Sequence, residues 1–231
     1  MDGMGLRRFS LPPGGAGEVE VLFFRLDGGH DLAPLLASLD AMERQHALER
    51  KDRIKARYIR AHGGLRHILG AAAYKPPEQI VYVRNRYGKP AVEDGGMFFN
   101  MSHSGKFCLV GLSRGHALGV DVQCHVPVDD MGALAMEVFS SEECRLLDGT
   151  PPGRRRAAFF DMWARKEALL KYIGTGMTGQ PRDWTVLPRG RREADALYMA
   201  RKAFPVRIHY GSVHGIFSWG VAWGLLHTTG Q

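Results

Sequence analysis

The order of elements constrains this chain most: helical patterns followed by several strands, run through twice. In the first pass Ile54, Tyr58, Ala61, Leu65 and Ile68 recur at intervals of 4, 3, 4 and 3. That spacing places one apolar stripe on a long amphipathic helix. Lys51, Arg53, Lys55, Arg57 and Arg60 occupy its flanks and opposite face. A helix is also expected over 32–46, and Lys75-Pro76-Pro77 stops the long one. Enrichment in β-branched and aromatic residues predicts strands over 18–25, 79–84, 97–100, 107–112 and 118–122. The second pass holds a short helix over 128–139 and a capping box at Ser140-Ser141-Glu142-Glu143. A long helix follows over 155–173, ended by Gly174-Thr175-Gly176, and strands are expected over 184–187, 206–209 and 217–226. The expected fold class is α+β, with two similar α/β halves at 18–115 and 116–231 behind a loose leader at 1–17.

Composition narrows the function classes. Hydrophobic residues make up 45% of the 231 positions and charged residues 24%, as in ordinary globular domains. No run approaches the roughly 18–20 apolar residues that span a bilayer. Met1 to Gly17 lacks a signal-peptide core, so a cytoplasmic protein without a membrane partner is expected. Cys108, Cys124 and Cys144 form no CxxC pair and imply no disulfide framework. Lys and Arg number 31 against 24 Asp and Glu, a formal charge of +7. That balance suits nucleic acid, an acidic protein or a phosphorylated small molecule. Zinc-finger spacing and RNP-type aromatic motifs are absent, which sets nucleic acid aside.

Three stretches look chemical. In the second long helix Phe160, Trp163, Glu167 and Leu170 fall on one stripe, with Lys171 one turn above Glu167. The plain reading is an i,i+4 ion pair at the edge of a core stripe. A carboxylate aligned with large apolar groups is costly unless compensated, and a metal ion would compensate it. In Gly119-Val120-Asp121-Val122-Gln123, strand alternation gives Asp121 and Gln123 one face and the valines the other. Two oxygen-bearing side chains and a distant carboxylate suit Mg²⁺; exposed polar alternation is the bland alternative. Asn100-Met101-Ser102-His103-Ser104-Gly105 follows an apolar strand and is expected to be a loop that can hold phosphate. A nucleophile-elbow G-x-S-x-G is missing, which disfavours a serine hydrolase.

In order and spacing, Gly88-Lys89-Pro90, Phe99 to Ser104, Gly119 to Gln123 and Trp163 to Lys171 closely resemble the phosphopantetheinyl transferase superfamily. The resemblance is to its larger, monomeric, pseudo-dimeric class and covers about residues 40–180. It implies a holo-carrier-protein synthase that transfers the phosphopantetheine arm of coenzyme A to a serine of an apo acyl or peptidyl carrier protein. Asp121 and Glu167 would hold Mg²⁺, with Gln123 standing where the family usually has a carboxylate. Glu167 would accept the serine proton and Lys171 would stabilise the breaking pyrophosphate. The motif match assigns Lys89, Ser102, His103 and Arg57 to coenzyme A, with Arg44 and Lys166 as further phosphate contacts. The rival reading is a catalytically weak module that only binds coenzyme A or a carrier protein, supported by Gln123.

Overall fold

The structure, a computed structural model, describes residues 5–11, 19–29, 31–93, 95–174, 180–190, 192–198, 202–213 and 215–224. Positions 1–4 and 12–17 of the expected leader lie outside the described residues, as do Thr175-Gly176 and the expected strand end at 225–226.

Two sheets are built. In the first, β1 (Arg7–Leu11), β2 (Val19–Arg25), β6 (Phe107–Ser113) and β5 (Phe98–Ser104) lie in the order β1-β2-β6-β5. In the second, β7 (Ala117–Cys124), β11 (Phe217–Gly224), β10 (Lys202–Val213), β9 (Glu193–Tyr198) and β8 (Trp184–Arg189) lie in the order β7-β11-β10-β9-β8. All pairings are antiparallel. A small hairpin, β3 (Tyr82–Arg84) with β4 (Pro90–Val92), stands apart.

The helices are α1 (Ala33–Ser38), α2 (Ala41–Leu48), α3 (Asp52–Ala73), α4 (Met131–Val138), α5 (Ser141–Asp148) and α6 (Pro152–Ile173). The chain is a mixed α/β fold in four layers. Helix α3 covers one face of the first sheet around Leu22, Phe24, Leu69 and Val110. The sheets meet through Leu11, Val21, Leu109, Val120 and Val221. Helix α6 covers the far face of the second sheet through Ala168, Leu169, Val186 and Ala222. Each large apolar side chain removed from water here contributes about 1.5–3 kcal/mol.

The two helical blocks repeat at an offset of one hundred: α2 begins at 41 and α5 at 141, α3 at 52 and α6 at 152. Their capping boxes match, Asp40 with Glu43 and Ser140 with Glu143. So do their buried cations. Arg66 pairs with Glu43 at 2.5 Å and donates to Pro77 O and Ile80 O. Lys166 pairs with Glu143 at 2.7 Å and donates to Pro181 O and Trp184 O.

Several expectations change. The single helix expected over 32–46 is two helices, because extended Asp40 accepts from Glu43 N and starts α2 afresh. The expected loose leader contains β1, held by pairing to Val19–Phe23 and by burial of Leu11. Asn100 to Ser104 is strand rather than loop, and β9 fills what reads as a polar connection.

Candidate active site

The site forms where edge strands β5 and β7 run side by side beneath α6. The two strands share no backbone ladder; side chains bridge them. Asn100 Oδ1 accepts from Val120 N at 2.8 Å, Ser102 Oγ from Val122 N at 3.3 Å and Ser104 Oγ from Cys124 N at 3.0 Å. Strand alternation explains the set: 100, 102 and 104 share one face of β5, and every second N–H of β7 turns away from β11. The same alternation sends His103 to the opposite face of β5, where it is partly open to solvent and partly crowded by neighbouring groups.

On β7, Leu118, Val120 and Val122 enter the intersheet core, so Asp121 and Gln123 face α6. The helix comes unusually close because residues beneath it lack a Cβ. One added at Gly119 would meet Tyr172 N at 2.2 Å and Ala168 O at 2.3 Å, and one at Gly220 would meet Ala164 O at 2.7 Å.

That approach delivers Lys171 to Asp121. Lys171 Nζ lies 2.6 Å from Asp121 Oδ1 and 3.0 Å from Ser102 Oγ. Ser102 donates to the same Oδ1 at 2.7 Å, and Gln123 Nε2 donates to Oδ2 at 2.9 Å. Asp121 is 1% exposed and Ser102 7%. Glu167, one turn before Lys171, makes no hydrogen bond or ion pair among the described residues. Burial raises its pKa, the negative charge of Asp121 raises it further, and Lys171 pulls it back.

The expected site residues do not all meet here. Asp121, Gln123, Ser102, Glu167 and Lys171 are brought together. His103 is electrostatically close to Lys171, and also to His62 and Arg50, which sequence reasoning passed over. Burial lowers the His103 pKa, and these neighbours lower it further. His62 stacks on Tyr58 at 4.0 Å, and Arg50 covers that tyrosine ring at 4.3 Å. Arg57 is half-buried in the first turns of α3, beside Tyr58. Arg44 is exposed and donates to Leu39 O near its own turn.

Two lysines, Lys89 expected at coenzyme A and Lys166 expected at phosphate, are engaged with other groups in this structure. Lys166 is 0% exposed and sealed inside the fold with Glu143, because its helical position faces α5 rather than β7. Lys89 turns its ammonium onto the main-chain carbonyls of Lys171 and Tyr172 near the end of α6 and of Leu118 on β7.

The donor set for a cation is small. Among the described residues no group of three or more His, Cys, Asp and Glu is arranged to hold a metal. The site offers two carboxylates and one amide, all oxygen donors. The unpaired Glu167, disfavoured as an anion by Asp121, marks negative charge that Lys171 alone does not balance. A hard divalent cation completed by water fits that set.

A model of the 4'-phosphopantetheinyl transferase superfamily matches residues 117–222, which span β7 to β11. The 4'-phosphopantetheinyl transferase gsp of Aneurinibacillus migulanus is 31% identical over 163 residues, covering 69% of this chain and 67% of the relative. The chain belongs to the 4'-phosphopantetheinyl transferase superfamily. Other transferases of that name are similar over shorter spans. One from Nostoc sp. is 32% identical over 127 residues, 53% of this chain and 54% of the relative. One from Bacillus pumilus is 36% identical over 115 residues, 49% and 48%. For several of the curated relatives it matches, the chain spans about half to two thirds of their length. The superfamily match includes Asp121, Gln123, Glu167 and Lys171, while Arg57, Lys89, Ser102 and His103 lie before it.

Proposed function

We propose that this protein transfers the phosphopantetheine arm of coenzyme A to a serine hydroxyl of an apo carrier protein. The serine oxygen forms a bond to the phosphorus that carries the pantetheine. The pyrophosphate P–O bond breaks, and adenosine 3',5'-bisphosphate leaves. The observation that carries this reading is the pairing of a committed carboxylate with an uncommitted one. Asp121 is fixed by Lys171, Ser102 and Gln123, whereas Glu167 makes no hydrogen bond or ion pair among the described residues and has a raised pKa. A carboxylate in that state is suited to take the serine proton, directly or through water. Lys171 would neutralise charge on the former bridging oxygen as it leaves with the adenosine 3',5'-bisphosphate, the kind of electrostatic help on which phosphoryl transfer mainly depends.

Asp121 and Glu167 would hold Mg²⁺, with Gln123 Oε1 or a water as a third ligand. When bound, the ion supplies charge neutralisation at the pyrophosphate. The amide nitrogen of Gln123 now faces Asp121, and turning the group to present oxygen becomes favourable only with a cation beside it. We assign the nucleotide end of coenzyme A to the basic surface of α2–α3 and β5, at His103 and Arg57, with Arg44 at its margin. The formal charge of +7 supports an acidic carrier as partner. The matched offset of the two helical blocks supports a monomeric pseudo-dimer whose cleft is the site.

The test is direct. Protein, Mg²⁺, coenzyme A and a panel of apo acyl and peptidyl carrier proteins are mixed, and intact mass is measured. Addition of the phosphopantetheine mass to at least one carrier is expected. Coenzyme A binding by calorimetry with no modified carrier would instead favour the binding-module reading.

A further inference from the structure

Lys89 sits in the turn between β3 and β4, built so that its side chain has one direction to go. Asn85 Oδ1 accepts from Tyr87 N at 3.0 Å and Lys89 N at 2.8 Å, while Asn85 N donates to Lys89 O at 3.0 Å. The turn closes on Gly88 at φ +83. From this frame the chain reaches across to the other half. Lys89 Nζ donates to Lys171 O at 2.5 Å, Leu118 O at 3.0 Å and Tyr172 O at 3.3 Å. Asn85 Nδ2 donates to Gly174 O at 3.4 Å. Gly174 caps α6 at φ +83, and a Cβ there would meet Lys89 Cδ at 3.3 Å and Asn85 Nδ2 at 3.4 Å.

Two of the acceptors, Lys171 O and Tyr172 O, are carbonyls that α6 leaves unsatisfied at its C-terminus, where a cation also matches the helix dipole, and the third, Leu118 O, belongs to β7. An ammonium has three protons, and here three carbonyls take them. The carbonyls belong to the residue before Gly119, to Lys171 itself and to the residue after it. Burial brings the Lys89 pKa down to about 8, in keeping with a group withdrawn from solvent.

We propose that Lys89 is a positioning residue: it fastens the main chain at Lys171 to β7 and so fixes where the Lys171 ammonium meets Asp121 and Ser102. The inference rests on the transferase reading and assigns Lys89 to Lys171 rather than to the coenzyme. Its effect passes through the last turn of α6, so removing the ammonium slows the chemical step and spares coenzyme A binding.

The test is a double-mutant cycle on the full chain: parent, Lys89→Met, Lys171→Met and the double variant. Single-turnover transfer to an apo carrier protein and calorimetric coenzyme A affinity are both measured. Lys89→Met is expected to slow transfer by about tenfold or more, because positional errors near 1 Å are amplified in rate. Coenzyme A affinity stays within about twofold, and the double variant is no slower than Lys171→Met alone, as for residues acting in series. Lys89→Arg, which keeps donors, recovers part of the rate. Asn85→Ala keeps the ammonium but frees the turn, and carries the same test if Lys89→Met does not fold. Rate losses that multiply, or a tenfold loss of coenzyme A affinity at parental rate, would overturn the assignment. A parent that modifies no carrier overturns the transferase reading itself, whereas an active parent with multiplying losses overturns only the role of Lys89.

Discussion

Replacing Gly119 by alanine tests how the site is assembled, because that single methyl lands between β7 and α6. Its Cβ would lie 2.2 Å from Tyr172 N, 2.3 Å from Ala168 O and 2.7 Å from the carbonyl carbon of Lys171. All three are main-chain atoms, so no side-chain rotation relieves them. Ordinary contact begins at 3.4 Å, which leaves a shortfall of about 1.2 Å at the tightest point. The last turns of α6 must therefore lift by about an ångström. The 2.6 Å contact of Lys171 with Asp121 and the carbonyl contacts of Lys89 are then stretched together. Overpacking of this kind costs about 1–3 kcal/mol, or a melting midpoint lower by about 3–10 °C for a chain of this size. The rate consequence is larger, about a hundredfold for a misplacement of about 1 Å. The assay is single-turnover transfer by intact-mass spectrometry beside a thermal melt, with Gly211→Ala as control. The three atoms nearest that added methyl all belong to the Trp219 ring, at 2.9–3.1 Å, so it should lower the midpoint and leave the rate alone. A Gly119→Ala protein that melts lower yet transfers at the parental rate would refute the reasoning.

Further outcomes follow from the same geometry. His103→Ala and Arg57→Ala should each raise the Michaelis constant for coenzyme A by about tenfold or more, the worth of one charged contact, with kcat near parental; unchanged constants would remove them from the nucleotide end. In Mg²⁺ titrations of rate, Asp121→Ala should lose most transfer, Gln123→Ala less, and Gln123→Glu should saturate at lower Mg²⁺; equal loss in the two alanine variants would make the amide an essential ligand. Glu143→Gln strips charge from the partner of a fully buried Lys166 and should cost about 3–5 kcal/mol, read as a fall of about 10 °C in melting; a shift under about 2 °C would show the pair is not structural. Glu167 is raised in the folded state, so the native protein binds the extra proton and stability falls as pH climbs from the ordinary carboxylate range through that raised value. In metal-free melts the midpoint of the parent relative to Glu167→Gln should show that decline across the range, since groups such as Glu43, whose pKa is lowered, contribute equally to both proteins; parallel pH profiles would contradict it.

What the sequence disclosed followed from local rules. The Ser140 capping box, the Ala61–Leu65–Ile68 part of the α3 stripe and the separation of Asp121 and Gln123 from the valines of β7 are set by residues within a few positions of one another and appear in the structure, whereas Ile54 at the start of that stripe is exposed because the first turn of α3 projects beyond the core. What it hid depended on distant partners. Asn100, Ser102 and Ser104 look like loop residues because polar groups seldom alternate through a strand in the interior. They are strand because β7 offers outward N–H groups that no backbone ladder satisfies. Lys166 and Lys171 share one helix and one motif, yet the first is sealed against Glu143 and the second reaches Asp121. Only the packing of α6 between α5 and β7 separates them. Asp40 with Glu43 was legible as a capping signal, and reading it would have divided the 32–46 helix.

The offset of one hundred also bears on why chemistry gathers on a single helix. A buried ion pair adds little net stability but is costly to break, so its recurrence at Arg66 and Lys166 is best understood as fixing a geometry. In both blocks it ties a capped short helix, a long helix and the chain that follows into one arrangement. With that frame held, what the next turn carries is free to differ. One position after the buried cation α6 has Glu167 and α3 has His67; five positions after it α6 has Lys171 and α3 has Ala71. The acid and the lysine that phosphoryl transfer calls for are therefore confined to α6. The α3 side carries Arg57 and Tyr58, a cation and an aromatic ring that on the proposed reading would hold an anionic nucleotide, with His62 stacked on Tyr58 and 3.4 Å from Glu43. On the proposed reading bond breaking would fall to α6 and substrate retention to the α3 side, and the segments that would register them are the β5–β7 bridge and the Lys89 turn.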